Sequence, residues 1–494
     1  MSDSRVIFEK SVKDRMGIAI PKLDVPEISL SDSIPPELLR ETPANLPEVS
    51  EPQVVRHYVN LSVKNHHVDK DLYPLGSCTM KYNPKINDAL ASLPGFANIH
   101  PHQPVKNVQG ALHIMYELEQ MLLKITGMSA ATLQPSAGSQ GEFAGILIMK
   151  KYHEKNGENR KYIIIPETAH GTNPASVSLG GFKSREVKSD NRGRVDFEDL
   201  KSKLDDEVAG MMLTQPNTLG LFEDQIEAIS EEVHKVGALM YMDGANMNAV
   251  VGLCKPAEMG FDIIHINLHK TFSTPHGGGG PGAGPIAVVE KLAPFLPIPK
   301  LIQDDNGKYN WISDFPDSIG RLHSFFGNFG ILVRAYVYIK MLGDSGLKSM
   351  TRVAIINANY IKNKLKDAYK IPFAEGTLHE FVASGVLQKA KGIKALDIAK
   401  ALLDYCFYAP TIYFPNNVPE AMMIEPTESE TKETLDRFVS ALLEINEKIN
   451  SDPDLIRDAP MTTPVIRLDE TKANRELDLR WTPLNFEWIN LEHI

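Results

Sequence analysis

Between residues 130 and 290, apolar positions come in short unbroken runs rather than in alternation, and each run ends in polar, turn-forming groups. Ala131 to Leu133, Lys161 to Pro166, Gly210 to Thr214, Ala238 to Met242 and Asp262 to Asn267 read as strands buried on both faces. Segments with helical spacing separate them: a helix opening at Ser136 to Ser139 and running to about Glu154, and another from Asp224 to Val236. Ile114 to Ile125 has helical spacing as well, with Gly127 as its C-cap. Strands alternating with helices predict an α/β fold around a large, mostly parallel sheet, with ligands outside the carboxyl ends of the strands.

Further along, Arg321 to Tyr338 leads into a helix. Ser349 to Tyr369, Ile393 to Leu403 and Ser429 to Ile449 read as helices, and His379 to Ser384 and Thr411 to Phe414 as strands. That set predicts a smaller α+β C-terminal domain. The pattern divides the chain into an extended N-terminal arm (1–75), a large domain (76–330), a small domain (331–455) and an extended tail (456–494). Pro21, Pro26, Pro35, Pro36, Pro43, Pro47 and Pro52 exclude a long helix in the arm, which suits a segment wrapping a neighbouring subunit. The tail, irregular from about Ser451, is expected to lay its tryptophans on the protein body.

Composition narrows the class. The 494 residues are 43% hydrophobic with mean hydropathy -0.20, values of a globular protein with large cores. No apolar run approaches the roughly eighteen residues needed to span a bilayer, so no membrane partner is expected. The acidic N-terminus suggests no leader peptide. A balance of 52 bases against 63 acids, net -11, argues against nucleic acid. The three cysteines, Cys78, Cys254 and Cys406, have no metal-ligand spacing, which predicts no metal site, no disulfide framework and a reducing, cytoplasmic setting.

The chemistry-bearing residues lie at the strand ends. Asp243 closes one buried strand, and Lys270 follows the next. This pair suits pyridoxal phosphate: the amine forms a Schiff base with the aldehyde, and the acid keeps the ring nitrogen protonated. A surface lysine and a capping aspartate are the plainer alternative. Ser136, Ala137, Gly138 and Ser139 form a small-residue turn at a helix N-terminus, an anion cradle or simply a cap at Ser139. His170 stands where a ring could stack on a flat cofactor, or is a satisfied turn histidine, with Thr172 and Asn173 in hydrogen-bonding range of the same place. The loop from His66 to Lys85 packs Gly76, Ser77, Cys78, Thr79 and Lys81 together and reads as functional; Cys78 is a structural cysteine or a redox-sensitive one. Gly277 to Gly284 has six glycines in eight positions, a loop that lets backbone approach a ligand or another subunit.

PLGSCTMKYNP, QPSAGSQGE, ETAHGTNPAS, DGANMNAVVG, NLHKTFSTPHGGGGPGAGP, APTIYFP and TTPVIRLDE together resemble the glycine-cleavage P-protein family, glycine dehydrogenase (decarboxylating), in its C-terminal catalytic half. The resemblance implies a fold-type-I pyridoxal-phosphate-dependent transferase architecture. It implies an oxidoreductase of the glycine cleavage system that decarboxylates glycine through a Schiff base, releases CO2 and transfers the aminomethyl group to the oxidised lipoyl arm of the H-protein. Lys270 would hold pyridoxal 5'-phosphate covalently, Asp243 the ring nitrogen, and His170 would stack on the ring opposite Ala245. Lys270 or His170 would manage protons. Ser136, Ala137 and Gly138 would cradle the phosphate, with Thr172, Asn267 and His269 adding contacts. Arg321, His323 and Arg334 are candidates for the glycine carboxylate. The implied partner is a homologous non-catalytic subunit 1, in a heterotetramer of two copies of each. Two positions depart from the family pattern: Gln215 stands for asparagine and Cys406 for glycine. Another fold-type-I enzyme, an aminotransferase or cysteine desulfurase, and a non-catalytic scaffold are the competing classes; the presence of Lys270 weighs against the scaffold.

Overall fold

The computed structural model describes residues 5–42, 44–100, 103–276 and 282–479. Most of the glycine-rich loop and the tail tryptophans Trp481 and Trp488 therefore lie outside the described residues. The chain divides into two compact units, Met1–His67 and Val68–Ile494. Among its described residues, the first holds one helix, Glu51–Ser62, whose start is fixed by Ser50 and Gln53 in a capping box, and three short 3-10 turns.

The second unit is built on a seven-stranded sheet of β1 (Ala130–Thr132), β2 (Tyr162–Pro166), β3 (Lys183–Val187), β4 (Val208–Thr214), β5 (Leu239–Gly244), β6 (Ile263–Ile266) and β7 (Ile286–Val288). Their order is β1-β7-β6-β5-β4-β2-β3, and only β7 runs against its neighbours. Every residue of β5 and β6 is buried, as the unbroken apolar runs require. Helices Gly138–Lys155 and Thr172–Leu179 cover one face through Ala144, Ile148, Met149 and Val177. Gln109–Thr126 and Ile226–Lys235 cover the other through Leu118, Leu122, Ile229 and Val233. Gly127 ends the Gln109–Thr126 helix at φ 75°, the left-handed cap read from the sequence.

A two-stranded hairpin follows, β8 (Lys300–Gln303) with β9 (Tyr309–Ile312). The span Phe329–Leu365 holds the two helices expected on either side of residue 343, joined at a kink where Gly343 leaves the helical conformation at φ 59° and ψ -172°. Its first part packs Leu332 and Ala335 into the core of the large sheet. Its second part packs Ala358, Ile361 and Leu365 into a separate core, over the antiparallel sheet of β10 (Phe381–Ser384), β11 (Thr411–Ile412) and β12 (Ala421–Ile424). Helices Ala395–Asp404 and Lys432–Ser451 close that core with Ile398, Leu402, Phe438 and Leu442. The expected extended tail instead contains helices Pro453–Arg457 and Glu470–Arg475, started by Asp452 and Asp469 acting as N-caps.

Candidate active site

The carboxyl ends of β1, β2, β4, β5 and β6 converge on a cavity of about 270 Å³ whose wall includes Asp243, Lys270, His170, Ala245, Gly138 and Thr172. Strand register accounts for its floor. Asp243 on β5 pairs with His265 on β6, so both side chains leave the sheet on the same face. The Asp243 carboxylate is 3% exposed and accepts hydrogen bonds from Asn173 Nδ2 at 3.0 Å and from the Ala245 amide at 3.0 Å. His265 Nε2 is 3.5 Å away, and Tyr241 Oη meets the opposite ring nitrogen at 2.7 Å. Burial pushes the Asp243 carboxyl up, but the facing His265, the two hydrogen bonds and Lys270 outweigh it and hold the group below the usual carboxylate range. The floor is therefore a buried anion.

Lys270 sits in the turn after β6, where its amide reaches back to Asn267 O at 3.0 Å. Its Nζ crosses the cavity to donate to the carbonyl of Ser77 at 2.7 Å. His170 Nδ1 lies 3.0 Å from Thr172 Oγ1, and its ring meets Phe414 edge-on at 5.7 Å, leaving the ring at the cavity wall. Thr172 Oγ1 donates in turn to the buried Glu142 at 2.7 Å. His269, also at the wall, accepts from the Ala283 amide at 3.2 Å; burial, His276 and Lys270 push it down to about 3, so it is a neutral ring.

The turn at Ser136 to Ser139 divides its duties. Gly138 and Ser139 line the cavity at the N-terminus of their helix, where backbone amides and the helix dipole favour an anion. A Cβ on Gly138 would stand 2.4 Å from Asn267 Oδ1, so a larger residue there would have to displace the Asn267 amide. Ser136 is instead engaged with Gln140, its amide and hydroxyl both donating to Oε1 at 2.7 and 3.2 Å, and Ala137 caps the helix behind the cavity wall. Asn267 Oδ1 and Thr214 Oγ1 are buried without a hydrogen-bond partner among the described residues. An ionised acid, a facing amine, a histidine ring at the wall, a helix N-terminus and unpaired polar atoms in one cavity fit the donor set that pyridoxal phosphate requires.

None of Arg321, His323 and Arg334 lines this cavity. Arg334 is paired with Asp88 at 2.5 Å and borders a separate apolar pocket. Several groups were not read from the sequence: the Ser77 carbonyl, Glu142, His265, and the trio His379, Glu380 and Glu425. Cys78 lies half-buried beside Lys270, and burial pushes its thiol up against the pull of that amine. A protonated thiol there does not suit a desulfurase nucleophile. Lys81 is buried and bridges elements, donating to Thr271 O at 2.6 Å and Glu428 Oε1 at 2.7 Å.

At the two positions that depart from the family pattern, Gln215 is buried and accepts from the Glu223 amide at 3.0 Å, so its longer side chain has a partner. Cys406 takes φ 64°, a left-handed conformation that favours glycine.

Comparison with known proteins identifies the family. Residues 19–309 match the family model of the glycine cleavage system P-protein, and residues 350–459 that of the glycine dehydrogenase C-terminal domain. The chain is 54% identical to a probable glycine dehydrogenase (decarboxylating) subunit 2 of Chloroherpeton thalassium, over 98% of this chain and 99% of that one. It is 53% identical to a protein of the same description from Caldanaerobacter subterraneus subsp. tengcongensis, over 97% and 98%. A crystal structure of glycine decarboxylase (P-protein) of the glycine cleavage system, in inhibitor-bound form, superposes with TM-score 0.72 at 21% identity, covering 84% of this chain and 95% of that one. A NifS-like protein shares the fold at TM-score 0.60 and 17% identity, over 76% and 99%. With that coverage and identity, this chain belongs to the glycine cleavage system P-protein family, glycine dehydrogenase (decarboxylating).

Proposed function

We propose that this chain is the lysine-bearing subunit of a glycine decarboxylase, carrying pyridoxal phosphate on Lys270. It releases CO2 from glycine and passes the aminomethyl group to the oxidised lipoyl arm of an H-protein. The observation that carries the reading is the buried, ionised Asp243 in one cavity with the Lys270 amine.

When bound, pyridoxal phosphate supplies a conjugated ring that accepts the electron pair left as carboxylate departs. The chain's own groups do the rest. Asp243, held ionised by His265, Asn173 and the Ala245 amide, keeps a proton on the ring nitrogen. The helix start at Gly138 and Ser139 holds the phosphate. His170 and Ala245 at the cavity wall would help hold the cofactor ring, and the Lys270 amine would be the group to carry protons.

The partner is a homologous subunit without the lysine, in a heterotetramer of two copies of each, a reading supported by relatives described as subunit 2. Among the described residues no helix is long and apolar enough to cross a membrane. Three free thiols fit a reducing, cytoplasmic setting.

Borohydride reduction followed by peptide mapping tests the cofactor site: the reduced adduct should fall on Lys270. With partner subunit and H-protein present, the protein should exchange the glycine carboxylate with CO2, and Lys270→Ala should abolish turnover. An unlabelled Lys270, or a Lys270→Ala variant with near-normal rate, sinks the reading in favour of a scaffold.

A further inference from the structure

A second group of acids flanks β10 and β12, one of them lining the same cavity. Glu380, 3% exposed, lines the cavity at the start of β10, and Glu425, fully buried, follows β12 directly. The antiparallel pairing of these strands brings the two together: one carboxylate oxygen of each, with a ring nitrogen of His379, lies within 4.8 Å of the others. Each acid is held in place. The Ser77 amide donates to Glu380 Oε2 at 2.8 Å. The Thr79 amide and Asn246 Nδ2 donate to the two oxygens of Glu425 at 3.1 and 3.0 Å. His379 is 1% exposed and lines the cavity; among the described residues neither ring nitrogen has a hydrogen-bond partner, and Nε2 lies 3.7 Å from Glu380 Oε1.

Two buried carboxylates this close disfavour each other's ionisation, which favours the protonated form of one of them near neutral pH. The groups facing the pair are Lys270, Cys78 and His379. Burial raises Glu380 well above the usual range, and the neighbouring Glu425 adds to this. Burial raises Glu425 to about 7, against hydrogen bonds from Asn246 and Thr79 and the charge of Lys270. His379, pushed down to about 3 by burial, adds no charge of its own. The geometry therefore places at the cavity wall a carboxyl suited to hold a proton, apart from Lys270, His170 and Asp243.

We propose that Glu380 is a catalytic residue of this site, the acid that protonates the leaving sulfur of the lipoyl disulfide, and that Glu425 is its positioning partner. The proposal rests on the function given above. In the net step the C–C bond of glycine breaks to release CO2. Its electron pair forms the C–S bond to one lipoyl sulfur, the S–S bond breaks, and the second sulfur leaves with that bond's pair. Glycine carbon is oxidised and the disulfide reduced, so electrons balance without a further oxidant. The glycine ammonium ends on the aminomethyl group, so the thiol proton must come from elsewhere. Glu380 gives that proton to the thiolate, and the Glu380–Glu425 pair is recharged with one proton from water per turnover.

The test uses the cofactor-loaded two-subunit enzyme with lipoylated H-protein. Glu380→Gln keeps shape and hydrogen-bonding capacity but has no proton to give. Transfer at saturating glycine should fall by at least about a hundredfold with the KM for glycine little changed, and Glu380→Asp should recover part of the rate. The wild-type rate should decline as pH rises through the pair's ionisation, and the Glu380→Gln profile should be flat there. An independent readout is pH-difference infrared spectroscopy of the unreacted protein. The carbonyl stretch of a protonated carboxylic acid should be present near neutral pH and be lost in both Glu380→Gln and Glu425→Gln. A Glu380→Gln enzyme with wild-type rate and pH profile, or a wild-type protein lacking the protonated carboxyl, overturns the proposal. Should Glu380→Gln fail to fold, the wild-type infrared titration and Glu425→Gln decide. A wild-type enzyme that loads cofactor yet shows no glycine-dependent transfer overturns the underlying function instead, and is recognised because it fails before any variant is made.

Discussion

Lys81→Met tests how the loop carrying Ser77 is anchored. The Lys81 side chain is 1% exposed, and its amine donates to Glu428 Oε1 at 2.7 Å, to Thr271 O at 2.6 Å and to Tyr338 Oη at 3.2 Å, 5.0 Å from the centre of the Tyr338 ring. Methionine keeps most of the apolar stem but removes the charge. Thr271 O then loses a partner beside Lys270, and among the described residues Glu428 keeps Tyr338 Oη at 3.1 Å and Asn248 Nδ2 at 3.4 Å. Breaking a buried ion pair from one side costs about 3–5 kcal/mol. Glu428 is 12% exposed and so can recover some water, which places the expected loss at the lower end, about 3 kcal/mol. Burial lowers the Lys81 amine, but Glu428 and Tyr338 more than compensate and leave it above its ordinary value. Its contribution is therefore full at neutral pH and disappears only in strong alkali, as pH rises through the raised value. Chemical denaturation of wild type, Lys81→Met, Glu428→Gln and the double variant gives the coupling as a double-mutant cycle. The double variant should be clearly more stable than the sum of the single losses, because neither buried charge is then left alone. A Lys81→Met loss under about 1 kcal/mol, or strict additivity of the two changes, would refute the argument.

Three further outcomes follow from other parts of the molecule. Asp243→Asn should lower glycine-dependent transfer by at least about a hundredfold while the fold persists, since it removes a buried charge aimed at the site; circular dichroism and steady-state kinetics check both halves. Cys406→Gly should raise stability by about 0.5–1 kcal/mol, because Cys406 is held at φ 64° and exposed; a shift in denaturation midpoint measures it. Gly220→Ala should cost at least about 2 kcal/mol and disturb the Glu380 backbone, since Gly220 has φ 76° and a Cβ there would stand 1.9 Å from Glu380 O; thermal melting detects the loss.

The sequence was informative where chemistry follows directly on a buried strand. Asp243 and Lys270 are legible because unbroken apolar runs deliver them, and the structure places both on one cavity. Strands without such runs escaped notice. β3 is an edge strand of charged residues with only Val187 buried, and β7 has just three residues. β12, the apolar Ala421–Ile424, is too short for periodicity to separate strand from helix. A single glycine, Gly343, separates two helices as the sequence reading expected, because its φ of 59° is outside the helical region.

The second group of acids was hidden for a different reason. Glu380 and Glu425 acquire meaning only beside Ser77 and Thr79, which precede them by 303 and 346 positions. No local pattern encodes that meeting; only an acid flanked by buried apolar strand residues hints at it, as in HEFVAS and AMMIEP. The Ser77 residue is the joint between the two halves of the site. Its carbonyl accepts from Lys270 Nζ at 2.7 Å while its amide donates to Glu380 at 2.8 Å, with Ser77 itself held at φ 62°. A left-handed serine is maintained only where its surroundings fix it, and here they are Lys270 and Glu380, with Lys81 anchoring the same loop. Shifting this loop therefore moves the lysine's resting partner and the carboxylate pair together. For that reason Lys81→Met should affect transfer as well as stability, even though its amine stands outside the cavity wall.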